Sequence, residues 1–535
     1  MKHLLLLLLV ISHSVQAQTD KKMLRRLKKS VEYLSNDKLE GRRTGSKGEK
    51  LAYEYISKKF RENGLVTIGE YKDYIQPFPV YDGREIANAS FSVNGTQFTL
   101  REDYEPLAFS GDAIQVRISN LKEASLYNID ALIRENKDNP HFELKESIGT
   151  LAKDVQKSGK KVLLLVNEDS ANDNIISFEK NDKIERLTIP VIYLRRSFLD
   201  KWDEGKKGFE GELNFNIKEH SRTGHNVIGY LDNLSLQTVV LGAHYDHLGY
   251  GEDHNSLYAG SVPMIHNGAD DNASGTAALI ELAGLLKKSP VKKYNYLFVA
   301  FSGEELGLFG SKYFTDHSPV DLKQVDYMIN MDMVGRLNDS THGISIGGYG
   351  TSPTWGEIIR EKDDYFRIKL DSSGSGPSDH TSFYRKDIPV LFFFTGTHSD
   401  YHKPSDDADK INYKGELQVI RYIMALIEKT ADKGKLAFTK TRESSSTGKS
   451  SFKVTLGIMP DYTYSGSGVL VDGVSEGRPA QKAGIKTGDV IIQLGDHPVS
   501  DVQTYMQALG KFKKGDPARV KVKRNGEAIE FNIIF

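Results

Sequence analysis

The chain of 535 residues contains no cysteine. Disulfides are therefore excluded as a source of stability, and so are thiolate metal sites. Any metal must be held by His, Asp or Glu. Charge of one sign is also lacking: 71 Lys and Arg against 72 Asp and Glu leave a formal net charge of −1. With no basic tract, nucleic acid and anionic membranes are poor candidates for a main partner. Long apolar runs are missing too. The longest is Leu4–Ile11, behind Lys2 and ahead of Val15-Gln16-Ala17. It is too short to span a bilayer. A short charged region, an apolar core and small residues at a cleavage site predict a signal peptide over 1–17, cut after Ala17. No cysteine follows to carry a lipid, so the expectation is a soluble mature protein, periplasmic or extracellular. The length asks for two to four domains.

Residues 20–72 read as helical, with Leu51, Ala52, Tyr55, Ile56 and Phe60 at helical spacing and Asn63-Gly64 as a stop. The glycine-rich Leu39–Ser46 ahead of them reads as a loop. From about 75 to 220 the texture is that of an inserted α+β domain, with β-like Phe91–Val93, a helix at Leu151–Lys157, and strands at Val162–Val166 and Ile189–Leu194. Residues 221–436 alternate strand and helix. Short, nearly all-apolar runs at Val227–Tyr230, Val239–Ala243, Tyr296–Ala300, Tyr327–Met331 and Val390–Phe394 predict strands covered on both faces. Gly275–Leu286 reads as a buried helix. Together these predict an α/β fold, a mixed and mostly parallel sheet with helices on both faces. A polar linker at 437–452 leads to a small separate domain at 453–535, with one clear helix at Val502–Leu509.

Chemistry collects at the strand ends, where open α/β sheets place it. In order they supply His244-Tyr245-Asp246, Gly268–Gly275 with Asp270 and Asp271, Ser302-Gly303-Glu304-Glu305, Asn330–Met333 with Asp332, and Tyr401-His402 before Pro404-Ser405-Asp406. One such residue after a strand is an ordinary turn. Five in succession supply two His and at least three carboxylates, a donor set for zinc or another divalent metal. A pair of metals needs such a set, one carboxylate bridging. His244 and Asp246, two apart in extended chain, point the same way. The first can bind metal while the second orients a neighbour. Asp271, in a tight turn at a helix start, suits a bridge. Of Glu304 and Glu305, one can bind metal and the other take a proton.

These motifs, in this order, closely resemble the co-catalytic zinc aminopeptidase and glutamate-carboxypeptidase-like metallopeptidase family. Leu34-Ser35 to Gly41-Arg42, Lys47–Ala52 and Leu308–Phe314 resemble further segments of it. The resemblance implies a catalytic domain over 18–74 and 221–436, with one zinc on His244 and Asp332, a second on Glu305 and His402, and Asp271 bridging. It leaves Asp270 a neighbour, makes Glu304 the general base and Tyr401 the group that steadies the oxyanion, and sets Ser378-Asp379-His380 near the site without ligating. The activity implied is aminopeptidase action on peptides. A carboxypeptidase or dipeptidase on the same scaffold would need a basic group such as Arg336 or Arg385. A glutaminyl cyclase and an inactive peptide-binding protein are further alternatives. The insertion at 75–220, through Thr188–Ile192 and the return at Asn226–Gly229, resembles a protease-associated (PA) domain. The C-terminal domain resembles a bacterial-protease PDZ domain, with Leu456-Gly457-Ile458-Met459 as its carboxylate-binding loop and Pro479-Ala480, Ala483–Ile485 and Gly488–Ile491 matching beyond it. That implies a peptide or protein C-terminus as a partner.

Overall fold

The apolar run 296–301 alternates its side chains between two separate cores. Tyr296, Phe298 and Ala300 join one, and Leu297, Val299 and Phe301 the other. A strand buried on both faces belongs inside a sheet with helices on each side. The computed structural model of the protein shows this arrangement. It describes residues 20–71, 73–136, 144–167, 173, 175–180, 182, 184–202, 209–253, 255–258, 260–361, 363–441, 454–460, 467–474, 477–500, 502–513 and 515–535. The leader expected at 1–17 lies outside them.

The chain divides into two compact units, Pro79–Arg222 and the remainder. In the larger unit, helices α1 (20–34) and α2 (Lys47–Glu62) come first. The helical reading of 20–72 holds for α1 and α2, with the break near the expected loop at Leu39–Ser46 and the stop at the expected Asn63-Gly64. The chain breaks at Asp37–Arg42, where Glu40, Gly41 and Arg42 all have positive φ, and α2 stops at Asn63. Gly41 has φ +67, and a Cβ on it would lie 2.6 Å from the carbonyl oxygens of Gly249 and His266.

The sheet then uses β1 (Gly211–Leu231, through its end 227–231), β2 (Thr238–His244), β3 (Asn295–Phe301), β4 (Val325–Met331), β5 (Gly343–Gly347), β6 (Arg367–Leu370) and β7 (Val390–Phe394). Their spatial order is β6-β5-β7-β4-β2-β3-β1. The four central strands are parallel; β1 and β5 run antiparallel to their neighbours β3 and β7. Helices α3 (Gly275–Lys288) and α6 (Tyr413–Thr430) pack on one face, through Ala277, Leu282, Leu286, Leu417, Ile420 and Ile427. Helices α4 (Phe309–Asp316) and α5 (His380–Tyr384) cover the other, where Phe314 and Phe383 meet Phe301 edge-on. Because the central strands are parallel, the residues following β2, β3, β4 and β7 emerge along one edge.

Within Pro79–Arg222 a second sheet orders Tyr104–Pro106, Val191–Leu194, Val162–Val166 and Ala124–Asn128, the last three mutually parallel. The helix expected at Leu151–Lys157 starts earlier, at Leu144, and packs Ile148, Ala152 and Val155 on the sheet. The strand expected from Ile189 begins at Val191, after Pro190. The C-terminal sheet comprises β8 (Ile458–Pro460), β9 (Val469–Val474), β10 (Val490–Leu494), β11 (His497–Pro498), β12 (Pro517–Arg524) and β13 (Glu527–Ile534), in the order β8-β9-β10-β12-β13 with β11 on β10. The polar stretch expected as a linker from 437 is attached at its start: Thr439 N donates to Thr351 O, and the Phe438 and Tyr384 rings pack at 5.6 Å.

Candidate metal centre

His244, Glu305 and Asp332 sit where buried strands stop, Asp271 in the turn ahead of α3, and His402 in the loop after β7. His244 closes β2, and its backbone carbonyl accepts from Thr276 Oγ1 at the start of α3. The turn Ala269–Ser274 carries Asp271, and the Asp271–Asn272 peptide is cis. Asp406 Oδ2 accepts from both the Asp270 and Asp271 amides, and Asn272 ties the turn to the end of β4 through Met331 O and Met333 N. Gly268 has φ +54, and a Cβ there would fall 2.1 Å from Asp271 O. Nothing but glycine fits.

The geometry resolves into two groups sharing Asp271. His244 Nε2 lies 3.3 Å from Asp271 Oδ1 and 3.3 Å from Asp332 Oδ1. His402 Nε2 lies 3.3 Å from Asp271 Oδ2 and 3.2 Å from Glu305 Oε2. Zinc ligands sit about 2.0–2.2 Å from the ion, which for tetrahedral angles places them roughly 3.4 Å from one another. The observed spacings match, and the two oxygens of Asp271 each face a different group. The other ring nitrogens are held by backbone. His402 Nδ1 meets Asn255 O at 2.9 Å and His244 Nδ1 meets Asp246 O at 3.3 Å, which directs Nε2 of both rings inward. By donor chemistry and spacing, the residues fit a pair of divalent ions.

The electrostatics agree. Burial works to raise Glu305, but His402, and hydrogen bonds from His247 and His402, bring it down to about 2. Burial also opposes the charge on Asp271, yet His244 and His402 hold it well below the usual carboxylate range. In turn, burial would lower His244 and His402, but the carboxylates push both well above the usual histidine value. His ligands bind metal only as neutral rings, so metal and protons compete for this site. Glu304 moves the other way. Burial raises it well above the usual range, Glu305, Asp332 and Asp379 add to this, and His244 opposes it.

The remaining expected residues fall around these groups. Asp246 Oδ2 accepts from Thr44 Oγ1 and its Oδ1 from the Glu304 amide, so it touches the backbone of the proposed base. Asp270 turns away, accepting from Gly335 N and lying 3.2 Å from His398 Nε2. Ser378 Oγ donates to Asp332 Oδ2, and burial pushes neighbouring Asp379 up to about 7. The Tyr401 ring stacks on His402 at 4.0 Å. In the C-terminal loop, Leu456 is buried in the core, the Gly457 amide donates to Thr455 Oγ1, and Ile458 opens β8.

Sequence reasoning missed His247, Asn255 and Arg42. His247 Nδ1 lies 2.7 Å from Glu305 Oε1. Its signal was a second histidine beside Asp246, three residues from His244. Asn255 acts on both Glu305 and His402 through backbone contacts, which no motif records.

Residues 226–427 match the model of peptidase family M28, and residues 445–534 that of a PDZ domain. The chain carries a peptidase family M28 domain. Among the relatives of this chain, aminopeptidase YwaD of Bacillus subtilis (strain 168) is 27% identical over 299 residues, covering 53% of this chain and 60% of YwaD. Leupeptin-inactivating enzyme 1 of Streptomyces exfoliatus is 32% identical over 170 residues, 30% of this chain and 36% of that enzyme. The chain thus spans less than two thirds of either relative. Among solved structures, BSAP, a zinc aminopeptidase from Bacillus subtilis, aligns at 21% identity and a TM-score of 0.44 over 77% of this chain and 95% of that one. A Zn-dependent exopeptidase from Parabacteroides distasonis aligns at 18% and 0.33, over 39% and 78%.

Proposed function

We propose that the M28 domain is a two-zinc aminopeptidase that removes N-terminal residues from peptides. The observation that carries this is Asp271, whose two carboxylate oxygens each face a separate His–carboxylate group at ligand spacing. His244, Asp332 and Asp271 would hold one ion, and His402, Glu305 and Asp271 the other. Bound zinc supplies Lewis-acid polarisation of the scissile carbonyl and acidification of water. The protein's own groups handle the proton. Glu304, as the carboxylate, would take the proton of the attacking water and return it to the leaving amine, and the burial that raises its pKa makes it the stronger proton acceptor. Asp246, through its bond to the Glu304 amide, holds that residue's backbone in place. Tyr401, stacked on His402, would donate to the oxygen that gains charge.

Of the basic groups that a carboxypeptidase would need, Arg336 donates through Nη2 to Asp400, a carboxylate that also accepts from Lys410 and Ser405. Arg385 is exposed at the end of α5. The proposal also takes in export by the leader at 1–17, a PA-type role for Pro79–Arg222 and capture of a peptide C-terminus by the PDZ domain. No helix among the described residues is long and apolar enough to cross a membrane.

The test is cleavage of a mixed peptide and its N-acetylated twin, followed by mass spectrometry with and without chelator. Stepwise loss from the free N-terminus alone, abolished by chelator and restored by zinc, is expected. Loss from the C-terminus of both peptides would move the assignment to a carboxypeptidase. No cleavage of either, with zinc bound, would refute it and point to a dipeptidase, a cyclase or a binding role.

A further inference from the structure

His247 is a third histidine at the second metal position, beyond the ligands that the motifs supply. Its side chain is wholly enclosed. Gly268 presses on the ring, so that a Cβ there would come 2.4 Å from its Cδ2. The ring meets His402 edge-on at 5.9 Å. Nδ1 lies 2.7 Å from Glu305 Oε1 and 4.0 Å from Asp271 Oδ2, and Nε2 is buried with no hydrogen-bond partner.

Those distances separate two roles. Ligands of one ion share a spacing, as His402 does with Asp271 and Glu305 at 3.3 and 3.2 Å. Nδ1 of His247 is too far from Asp271 for that pattern and too close to Glu305, but 2.7 Å is an ordinary hydrogen bond. The orphaned Nε2 agrees. If Nδ1 carries the proton and donates, the atom left bare in the interior is a lone pair. If Nδ1 were a ligand, it would be an N–H, which interiors tolerate less.

We propose that His247 is a positioning residue for the second metal. It donates from Nδ1 to Glu305 Oε1 and so leaves Oε2 as the single oxygen aimed between His402 and Asp271. The effect is to hold Glu305 to one-oxygen ligation and keep a coordination place free for substrate. With Asn255 gripping the Glu305 carbonyl at 3.2 Å, both ends of that residue are held. This inference rests on the two-metal reading above.

The test is titration of metal-free full-length protein with Zn2+ against a competing chelator, for wild type, H247A, H247F and H247N, each checked for folding by circular dichroism. H247F keeps a buried ring without a donor, and H247N keeps a donor near the place of Nδ1. The expected result is two zinc ions in wild type, a second-ion affinity weakened 10–100-fold in H247A and H247F, an unchanged first ion, and recovery in H247N to within a few-fold. The proposal is overturned if H247A and H247F bind both ions as wild type does, or if H247N is no better than H247F, which would make His247 a ligand or a packing group. Wild type binding fewer than two ions would overturn the two-metal reading itself, a result distinguishable from the others because it needs no variant.

Discussion

Arg42 offers the sharpest test of how the centre is built. Its guanidinium is fully buried, yet every hydrogen bond it makes is to a backbone carbonyl: Nε to Tyr245 O at 2.7 Å, Nη1 to Leu34 O at 2.5 Å and Asn267 O at 2.6 Å, Nη2 to Gly268 O at 2.9 Å. It thereby joins the end of α1, the residue between His244 and Asp246, and the turn ahead of Asp271. Burial lowers its pKa to about 10, opposed by Asp271, Asp246, Asp406 and Glu305, so it stays charged at neutral pH. Arg42→Met keeps the volume and removes the fork. Four carbonyls are then left in the interior, at about 1 kcal/mol each by the lower bound for an unsatisfied buried group, or about 4 kcal/mol in all. At roughly 2–4 °C per kcal/mol for a domain of this size, the melting midpoint should fall by about 10 °C. Urea unfolding followed through Trp355, buried against Tyr327, in a Trp202→Phe background reads the catalytic domain alone. Arg42→Lys, which keeps the charge but not the fork, should fall between. A midpoint for Arg42→Met within about 1 kcal/mol of wild type would refute the clamp, because loss of four charge-assisted bonds cannot be that small.

Glu304→Gln should lower kcat by about 10²–10⁴ while both zinc ions stay bound, read by peptide hydrolysis beside metal analysis. Gly268→Ala, whose Cβ would collide with Asp271 O, should weaken zinc binding at least about 10-fold in the same titration used for His247. Stripping the metal should lower the unfolding midpoint, and zinc at about 1,000 times its Kd should restore about 4 kcal/mol, whereas an unchanged midpoint would deny a structural metal contribution. In the PDZ domain, burial would raise Asp489, but its bonds to Arg524 hold it below the usual aspartate value. The stability this pair contributes is therefore present above the unfolded aspartate pKa and lost as pH falls through the lower folded one. Arg524→Met should flatten that acid limb of the stability curve.

Much of the metal centre was legible because His244, Glu305 and Asp332 lie at or just past the end of an uninterrupted apolar run. The central strands β2, β3, β4 and β7 were legible for the same reason, since a strand covered on both faces writes its burial into every residue. The edge strands β5 and β6 were not. Ile344 and Ile346 alternate with less buried positions, and β6 buries Ile368 alone of its four residues, too little for a pattern. The break between α1 and α2 was legible in the glycine-rich Leu39–Ser46, but its reason was not. Asp37–Arg42 bends there to approach Gly249 and His266, more than 200 residues away.

His247, which meets the Glu305 carboxylate, was simply overlooked; the rest of what stayed hidden at the centre has one physical cause. Arg42 and Asn255 act on the ligand-bearing segments largely through main-chain atoms, and main-chain partners leave no mark on the identity of the residue they meet. A ligand's identity is dictated by the ion it must bind, so it can be read from its own position. A clamp's identity is dictated by a carbonyl that any residue could supply, so it can be read only from the fold. The same reasoning ranks the variants. Replacing a ligand should remove an ion and leave the fold, because strands buried on both faces do not depend on it. Replacing Arg42 should loosen the fold first and the ions second, because the clamp joins segments before any ion arrives. Stability measured without metal should therefore separate Arg42→Met from wild type more widely than it separates Asp332→Asn from wild type. The reverse order would mean that the ions, not the arginine, hold these segments together.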